Sequence, residues 1–316
     1  MQFLEFERPI AKIEEKIKTL SASNDNNQDV QKNIQTLKLE LANLTKKIYG
    51  SLTNWQIIQI ARHPDRPHFI DLVNKVFTDF QELHGDRLFG DDRAIIGGLA
   101  YLGRQPVMVI GQEKGRNTQD KLKHNFGMMH PEGYRKALRL VKLAEKFDIP
   151  VITFIDTPGA YPGIEAEGRG QSSAIAHNLL ELSRLQVPIV CVIIGEGCSG
   201  GALGIGVGDR LIMLEYSYFA TISPEGCATI LWKTSSKAPS ASEAMGITSK
   251  TLKKINIVDE VITEPLGGAH RDIVKISGDI KTVLKRSVSE LLKFSKNERY
   301  EKRYKRLMSF GNFDID

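Results

Sequence analysis

The first fifty residues carry apolar side chains at helical spacing in two separate runs. Both recur every three or four positions: Ile10, Ile13, Ile17 and Leu20, then Leu37, Leu41, Leu44 and Ile48. A polar break, Ser21 to Asn27, lies between them, and the second helix runs from about Val30 to Tyr49. The pattern predicts an amphipathic helical hairpin over residues 1–48, an arm that packs on its own domain or on a partner protein.

Residues 50–130 mix helical and strand-like patterns. The spacing predicts helices over Trp55–Ala61, Ile70–Leu83 and Asp120–Phe126. Two strands, Ala94 to Leu102 and Pro106 to Ile110, are joined by Gly103-Arg104 and predict a hairpin. A turn-rich loop over residues 84–92 precedes them.

A unit of helix, strand and glycine turn then occurs twice. The helix Pro131–Phe147 leads into the strand Ile149–Ile155, and the helix Gln171–Leu185 leads into the strand Val187–Ile194. The period is roughly forty residues, which is typical of a repeated supersecondary unit. The two glycine turns are therefore predicted at equivalent strand ends, on one edge of the fold.

The remainder of the chain continues the α/β pattern. Short strands are predicted over residues 210–215 and 218–222, and Ser223-Pro-Glu is a helix start because Ser caps and Pro suits the first turn. A long helix is predicted over Ile273–Phe294, followed by a basic, polar tail.

The stretch Gly195-Glu-Gly-Cys-Ser-Gly-Gly-Ala-Leu-Gly204 follows a buried apolar strand and precedes a small-residue helix. A sharp glycine turn here points free N–H groups at an anion or a developing oxyanion. The stretch matches a G-x-G-x-x-G, matches a G-x-S-x-G, and contains Gly200-Gly201, which offers a main-chain oxyanion hole that needs no nucleophile.

Each alternative has its own support. For dinucleotide binding, Glu215 stands where a ribose-binding acid belongs, but the motif comes too late in the element order. For a serine hydrolase, Ser199, Asp259 and His270 are in a suitable chain order at loose spacing. Asp156-Thr-Pro-Gly159 resembles a nucleotide switch, but the sequence contains no P-loop motif.

The composition limits the classes of function. The chain has 316 residues, 41% hydrophobic and 26% charged, with no apolar run long enough for a membrane span and no secretory signal at Met1 to Glu7. Three scattered cysteines without C-x-x-C disfavour a disulfide framework or a structural zinc site, so we expect a cytoplasmic protein.

The net charge of +5 gives little support for nucleic-acid binding, because no recognition motif accompanies it. The basic side chains in the middle of the chain are candidates for contact with phosphates or a partner, with solvated charge as the alternative: Lys114, Arg116, Lys121 and Arg135.

Seven further motifs occur together along the chain: Ala61-Arg-His-Pro-Asp-Arg-Pro67, Gly111-Gln-Glu-Lys-Gly-Arg116, Asn125-Phe-Gly127, Pro131-Glu-Gly-Tyr-Arg-Lys-Ala-Leu-Arg-Leu140, Phe154-Ile-Asp-Thr-Pro-Gly-Ala-Tyr-Pro-Gly163, Ile222-Ser-Pro-Glu-Gly-Cys227 and Glu264-Pro-Leu-Gly-Gly-Ala-His-Arg271. With these motifs in combination, the chain resembles the carboxyltransferase alpha subunits of bacterial-type, multi-subunit acetyl-coenzyme A carboxylase.

The resemblance implies an α/β fold, a crotonase-like (ClpP/crotonase) spiral of ββα units. The expected division is the arm 1–48, a coenzyme A carboxyltransferase domain over 49–295 and the tail 296–316.

The resemblance also implies an enzyme that is active only in a complex. It implies an α2β2 assembly with a zinc-bearing beta subunit and no metal or membrane contact for this chain. Carboxyl transfer would run from carboxybiotin, held on the biotin carboxyl carrier protein, to acetyl-CoA, and would give malonyl-CoA for fatty acid biosynthesis. The biotin carboxylase component would use the ATP.

The site residues follow from the same resemblance. Gly200 and Gly201 would polarise the ureido carbonyl of carboxybiotin. Other residues would shape the slot for biotin or coenzyme A: Gly159, Ala160, Tyr161, Gly163, Gly197 and Ser199. For Tyr161 a place at the edge of the core is the alternative, and Cys198 stands where relatives commonly have glycine, which raises the question of its accessibility.

Overall fold

A computed structural model describes residues 2–22 and 28–311. The arm consists of α1 (Arg8–Ala22) and α2 (Gln28–Tyr49), as predicted, while residues 23–27 of the polar break lie outside the described residues. The arm lies against its own domain: the Tyr49 hydroxyl donates to the buried Glu7 carboxylate at 2.7 Å, and the Tyr49 ring meets Tyr216 edge-on at 5.6 Å.

Helices and strands are mixed along the chain after the arm. They are α3 (Asn54–Ala61), α4 (Phe69–Val76), β1 (Thr78–Glu82), β2 (Ile95–Leu102), β3 (Gln105–Gln112), α5 (Thr118–Lys123), α6 (Pro131–Lys146), β4 (Val151–Thr157), α7 (Ile164–Gly168), α8 (Gln171–Arg184), β5 (Ile189–Cys198), α9 (Ser199–Gly206), β6 (Arg210–Leu214), β7 (Tyr218–Ala220), α10 (Pro224–Trp232), α11 (Ala238–Met245), α12 (Ser249–Lys254), β8 (Glu260–Ile262), α13 (Ile273–Leu291) and α14 (Lys296–Met308). Within the described ranges, none of these helices combines the length and apolarity that a membrane crossing needs.

One mixed sheet organises the domain. Its strand order is β1-β2-β3-β4-β5-β6-β8, and β7 pairs with the far end of β5. The pairings of β1 with β2 and of β2 with β3 are antiparallel, and the others are parallel. Helices α4 and α13 cover one face, and α6, α8 and α9 cover the other. The central strand β5 is buried along its whole length, which explains its unbroken apolar run.

The predicted helix over residues 70–83 is wrong in its second half. The helix α4 ends at Val76, and Thr78–Glu82 forms the edge strand β1 on β2. The apolar face of α4 stops at Val76 and Phe77, and Asp79 adopts a positive φ of 54°, which a helix does not accept. Pairing with β2 therefore overrides the local helical spacing.

The basic residues after position 295 form a helix, α14, whose buried side chains are arginines. The Arg303 guanidinium donates to the Leu182, Leu185 and Val187 carbonyls and pairs with the Asp209 carboxylate at 2.8 Å. The hydrophobic pattern gave no indication of this contact, because the residues that attach the helix are charged. The short helix α7 was likewise not predicted.

Candidate functional site

The strand β5 extends further into the glycine-rich stretch than the sequence predicts. We expected a turn directly after Ile194, but the strand continues to Cys198 because Glu196, Gly197 and Cys198 pair with β7. The chain turns instead at Ser199, whose φ is 57°, and α9 begins there. Gly197 therefore lies inside the strand, where a Cβ would come within 3.0 Å of the Phe219 ring.

The N-terminus of α9 offers unpaired main-chain donors. The first N–H groups of a helix have no partner within the helix, and among the described side chains none caps α9. The helix dipole adds partial positive charge at the same point. Gly200 is half-buried and Gly201 is buried. This terminus can stabilise an oxygen atom that carries or gains negative charge.

The end of β4 lies directly against this helix. A Cβ on Gly201 would be 2.4 Å from the Gly159 carbonyl carbon and 2.8 Å from the Ala160 nitrogen. The Thr157 hydroxyl accepts from the Gly159 N–H at 3.1 Å and so holds the turn. The prediction that the two glycine turns meet at one sheet edge is confirmed, and Gly159, Ala160 and Gly201 come together. Only glycine fits at position 201 without moving the loop.

The structure places Tyr161 and Gly163 away from this contact. The Tyr161 ring lies 4.3 Å from the His130 ring at the start of α6, and its N–H donates to the Met129 carbonyl. A Cβ on Gly163 would be 2.3 Å from the Tyr161 ring. Their assignment to a biotin slot stays a prediction.

A group of charged side chains and one tyrosine lies at the two strand ends, and we call it the Glu196 cluster: Arg62, Lys114, Asp156, Glu196 and Tyr218. Asp156, Glu196 and Tyr218 are buried, and Arg62 and Lys114 are half-buried. The Lys114 ammonium lies 2.7 Å from Asp156 and 2.5 Å from Glu196. The other Glu196 oxygen accepts from Arg62 at 2.5 Å and from the Tyr218 hydroxyl at 2.7 Å. The Arg62 guanidinium also forms an ion pair with Glu225, in the first turn of α10.

The charges in this cluster hold one another ionised. Burial raises the pKa of Glu196, but Lys114 and Arg62 outweigh burial and bring that pKa down to about 2. Burial likewise lowers the pKa of Lys114, and the Asp156 and Glu196 carboxylates outweigh it and hold that pKa above its usual value. Glu196 is therefore a carboxylate, and Lys114 an ammonium, throughout the neutral range.

Sequence reasoning missed the Glu196 cluster. Glu196 stands 134 positions from Arg62 and 82 from Lys114, so no spacing rule connects them. The available indication was that Lys114, Asp156 and Glu196 all stand at or just beyond the ends of three strands that become neighbours. Of the four basic candidates, Lys114, Arg116 and Arg135 form ion pairs with carboxylates of this chain. Lys121 lies half-buried beside the cleft described next.

Two hollows flank the strand ends. A charged cleft is lined by every member of the Glu196 cluster except Tyr218, together with His63, Arg66, Lys121 and Pro158. An apolar groove begins at Ser199, and none of its lining residues is charged: Ser199, Leu203, Phe219, Ala220, Thr221, Met245, Gly246, Ile247, Leu252, Ile255 and Ile257. The end of β5 thus separates a polar hollow from an apolar one.

Comparison with known proteins identifies the family. Residues 3–311 match the model of the family described as acetyl co-enzyme A carboxylase carboxyltransferase-like. The chain belongs to this family. It is 62% identical over 313 residues to the acetyl-coenzyme A carboxylase carboxyl transferase subunit alpha of Francisella philomiragia, covering 99% of both chains. The corresponding Francisella tularensis protein is also 62% identical, over 314 residues and 99% of each chain.

Solved carboxyltransferases share the fold at low sequence identity. A transcarboxylase 12S structure aligns with a TM-score of 0.58 and 17% identity, over 74% of this chain and 44% of that one. A Pseudomonas malonate decarboxylase hetero-tetramer aligns with a TM-score of 0.56 and 16% identity, over 70% of this chain and 89% of that one. The predicted α/β, crotonase-like fold is confirmed.

The alternative of a serine hydrolase fails on the geometry of its triad. Asp259 accepts from the Leu211 N–H at 2.6 Å and pairs with Arg306 at 2.7 Å. The His270 ring is stacked on His63 at 4.0 Å, and in the described residues neither of its nitrogens has a hydrogen-bond partner. The carboxyltransferase fold therefore does not assemble Ser199, Asp259 and His270 into a relay.

Dinucleotide binding is also unsupported. The first glycine of that motif, Gly195, lies within β5, where a Cβ would be 2.5 Å from an Asp156 carboxylate oxygen. The carboxylate of Glu215, the candidate ribose ligand, accepts from the Glu264 N–H at 2.9 Å. The glycines thus serve the packing of the carboxyltransferase strands.

Cys198 is buried at the end of β5. Burial and the nearby Glu196 carboxylate raise the pKa of its thiol to about 11. It remains a protonated thiol at neutral pH and is a poor nucleophile.

Proposed function

We propose that this chain is the alpha subunit of the carboxyltransferase of an acetyl-CoA carboxylase. It transfers a carboxyl group from carboxybiotin to acetyl-CoA and gives malonyl-CoA for fatty acid biosynthesis. Membership of the carboxyltransferase family over residues 3–311 supports this, as does the name of relatives that are 62% identical over 99% of the chain. A subunit named alpha implies other subunits.

The uncapped N-terminus of α9 against the Gly159–Ala160 turn is the observation that carries the proposal. The N–H groups of Gly200 and Gly201 donate to the ureido oxygen of carboxybiotin while it gains negative charge. Such a donor contributes about 3 kcal/mol to transition-state stabilisation when it is fixed in advance. Because these donors are main-chain groups, the chain needs no nucleophilic side chain.

The chemistry of the apolar groove fits biotin. When bound, biotin would carry the transferred carboxyl group on an uncharged ring system. The groove starts at Ser199, beside the α9 donors, and its lining carries no charge. Gly159 and Ala160 set one wall of the site by their contact with Gly201. Gly197 leaves room for the Phe219 ring that lines the groove, Ser199 forms the turn, and Tyr161 and Gly163 extend the binding surface.

We further propose that this chain forms half of the active site. Some apolar residues that line the groove are exposed, including Leu203 and Ile255. The helix α10, which packs on α11, also exposes Ile230, Leu231 and Trp232. We assign this surface to a zinc-bearing beta subunit in an α2β2 assembly in the cytoplasm. The biotin carboxyl carrier protein delivers biotin there, and the ATP-dependent biotin carboxylase charges it.

Reconstitution tests the proposed function. The purified chain is assayed alone and with a beta-type subunit for malonyl-CoA-dependent carboxylation of biotin. We expect no turnover by either subunit alone and turnover by the co-purified complex. Transfer by the lone chain, or none by a stable complex, contradicts the proposal.

A further inference from the structure

We infer that Glu196 is a positioning residue that fixes the main-chain donors of α9 against the end of β4. The inference rests on the proposed function for its effect on turnover. Its structural part, which concerns the order of the α9 N-terminus, can be measured without any activity. Glu196 lies three residues before Ser199 and is 6% exposed.

The strands β4 and β5 do not stay in register up to the site. Ile155 pairs with Ile193, but the next pair is Thr157 with Gly197, so β5 uses two more residues than β4 over this span. The Asp156 carboxylate fills the resulting bulge and accepts the Glu196 N–H at 2.9 Å. A Cβ on Gly195 would meet that carboxylate at 2.5 Å, which explains the glycine at this position.

Lys114 ties this bulge to a third strand. It follows β3 by two residues, and its ammonium contacts carboxylates on both β4 and β5, Asp156 and Glu196. Two carboxylates this close repel one another unless a cation lies between them. The three neighbouring strand ends are therefore held by one ammonium between two carboxylates.

The second oxygen of Glu196 ties the same point to the other side of the groove. It accepts from Arg62 at the end of α3 and from Tyr218 at the start of β7. Since Phe219 of β7 lines the apolar groove, one carboxylate sets both the path of β5 and the wall beside Ser199.

A second connection runs from Asp156 to the first turn of α9. The buried Gln112 side chain accepts the Asp156 N–H at 3.0 Å and donates to the Gly201 carbonyl at 2.7 Å. The bulge that Glu196 stabilises is thus joined by hydrogen bonds to the helix that carries the donors. Relative to an apolar pair of the same volume, a buried ion pair contributes little net stability, so we assign this pair a role in fixing geometry.

The substitution Glu196→Gln tests the inference in the reconstituted complex, because it keeps the shape and removes the charge. The matched control is Asp209→Asn, a buried carboxylate that pairs with Arg303 and accepts the N–H of Ile189 at the opposite end of the same strand. Both variants are measured for melting temperature, kcat, KM and amide hydrogen exchange of the peptide covering residues 197–204.

We expect Glu196→Gln to lower kcat by about 100-fold with KM changed by less than about three-fold, because small displacements of catalytic groups act on turnover. Hydrogen exchange over residues 197–204 should become faster. Asp209→Asn should lower the melting temperature at least as much, yet leave kcat per folded complex and exchange of this peptide unchanged.

Two results overturn the inference. One is amide hydrogen exchange over residues 197–204 that is as slow in the Glu196→Gln variant as in the unsubstituted chain. The other is a kcat that falls only in proportion to the folded fraction, as in the control. Absence of transfer by the unsubstituted complex contradicts the proposed function instead, and the exchange measurement then still decides whether Glu196 orders the α9 N-terminus.

Discussion

Three of the four glycines from Gly195 to Gly201 stand at their positions for separate steric reasons. Gly195 leaves room for the Asp156 carboxylate, Gly197 for the Phe219 ring, and Gly201 for the backbone of Gly159. Three unrelated contacts therefore account for most of the glycines in a stretch that matches several motifs. The sequence could predict that this stretch matters, but the reason for each glycine lies in residues far away along the chain.

His270 predicts a pH dependence of stability. Burial, followed by the nearby His63 and Arg271, lowers its pKa from 6.5 to about 3. Below pH 6.5 the unfolded chain binds a proton that the native chain refuses, so the free energy of unfolding falls as the pH drops from about 6.5 to 3. The substitution His270→Phe keeps a ring for the stack on His63 and should flatten this slope.

Urea unfolding at several pH values between 3 and 7 measures the effect. The matched control is His177→Gln, which removes an exposed histidine from α8. An unchanged slope in His270→Phe would show that His270 is not held neutral by the fold.

Among the elements, those with apolar periodicity were predictable and those held by charge were not. The arm, α6, α8, α13 and the buried strands follow the pattern of apolar residues closely. Two of the elements that the sequence did not predict have identifiable physical causes. The strand β1 has its position set by pairing with β2, and α14 is attached through guanidinium groups. Neither strand pairing nor a buried arginine produces a periodic pattern of apolar residues in the sequence.

The attachment of α14 is predicted to depend on Arg303. The substitution Arg303→Met leaves the Asp209 carboxylate and three carbonyls without this donor, so it should cost about 3–5 kcal/mol of unfolding free energy. Arg286→Met is the control, because Arg286 pairs with Glu260 at the surface and should matter little. Equal urea midpoints for the two variants would refute a structural role for the buried pair.

At the scale of the whole molecule, the parallel sheet brings the site together. The repeat of helix, strand and turn was visible in the sequence, and it correctly predicted that two loops meet at one edge. The Glu196 cluster was not predictable, because its members converge only once β3, β4 and β5 are neighbours. The main-chain donors of the proposed site lie next to the Glu196 cluster on one side and the apolar groove on the other.

In the proposed mechanism the chain works through main-chain N–H groups and not through the Ser199 hydroxyl. Ser199→Gly removes the hydroxyl and suits the positive φ of 57° at this position. Gly201→Ala keeps every side chain but drives a Cβ into the Gly159 backbone, which moves α9 away from its wall.

The decisive measurement is kcat for carboxyl transfer by the reconstituted complex with each of these variants. Catalysis by main-chain donors predicts that kcat of Ser199→Gly stays within about three-fold of the unsubstituted complex, while Gly201→Ala loses about 100-fold or more. Loss of transfer in a folded Ser199→Gly complex, or full activity in Gly201→Ala, would contradict it.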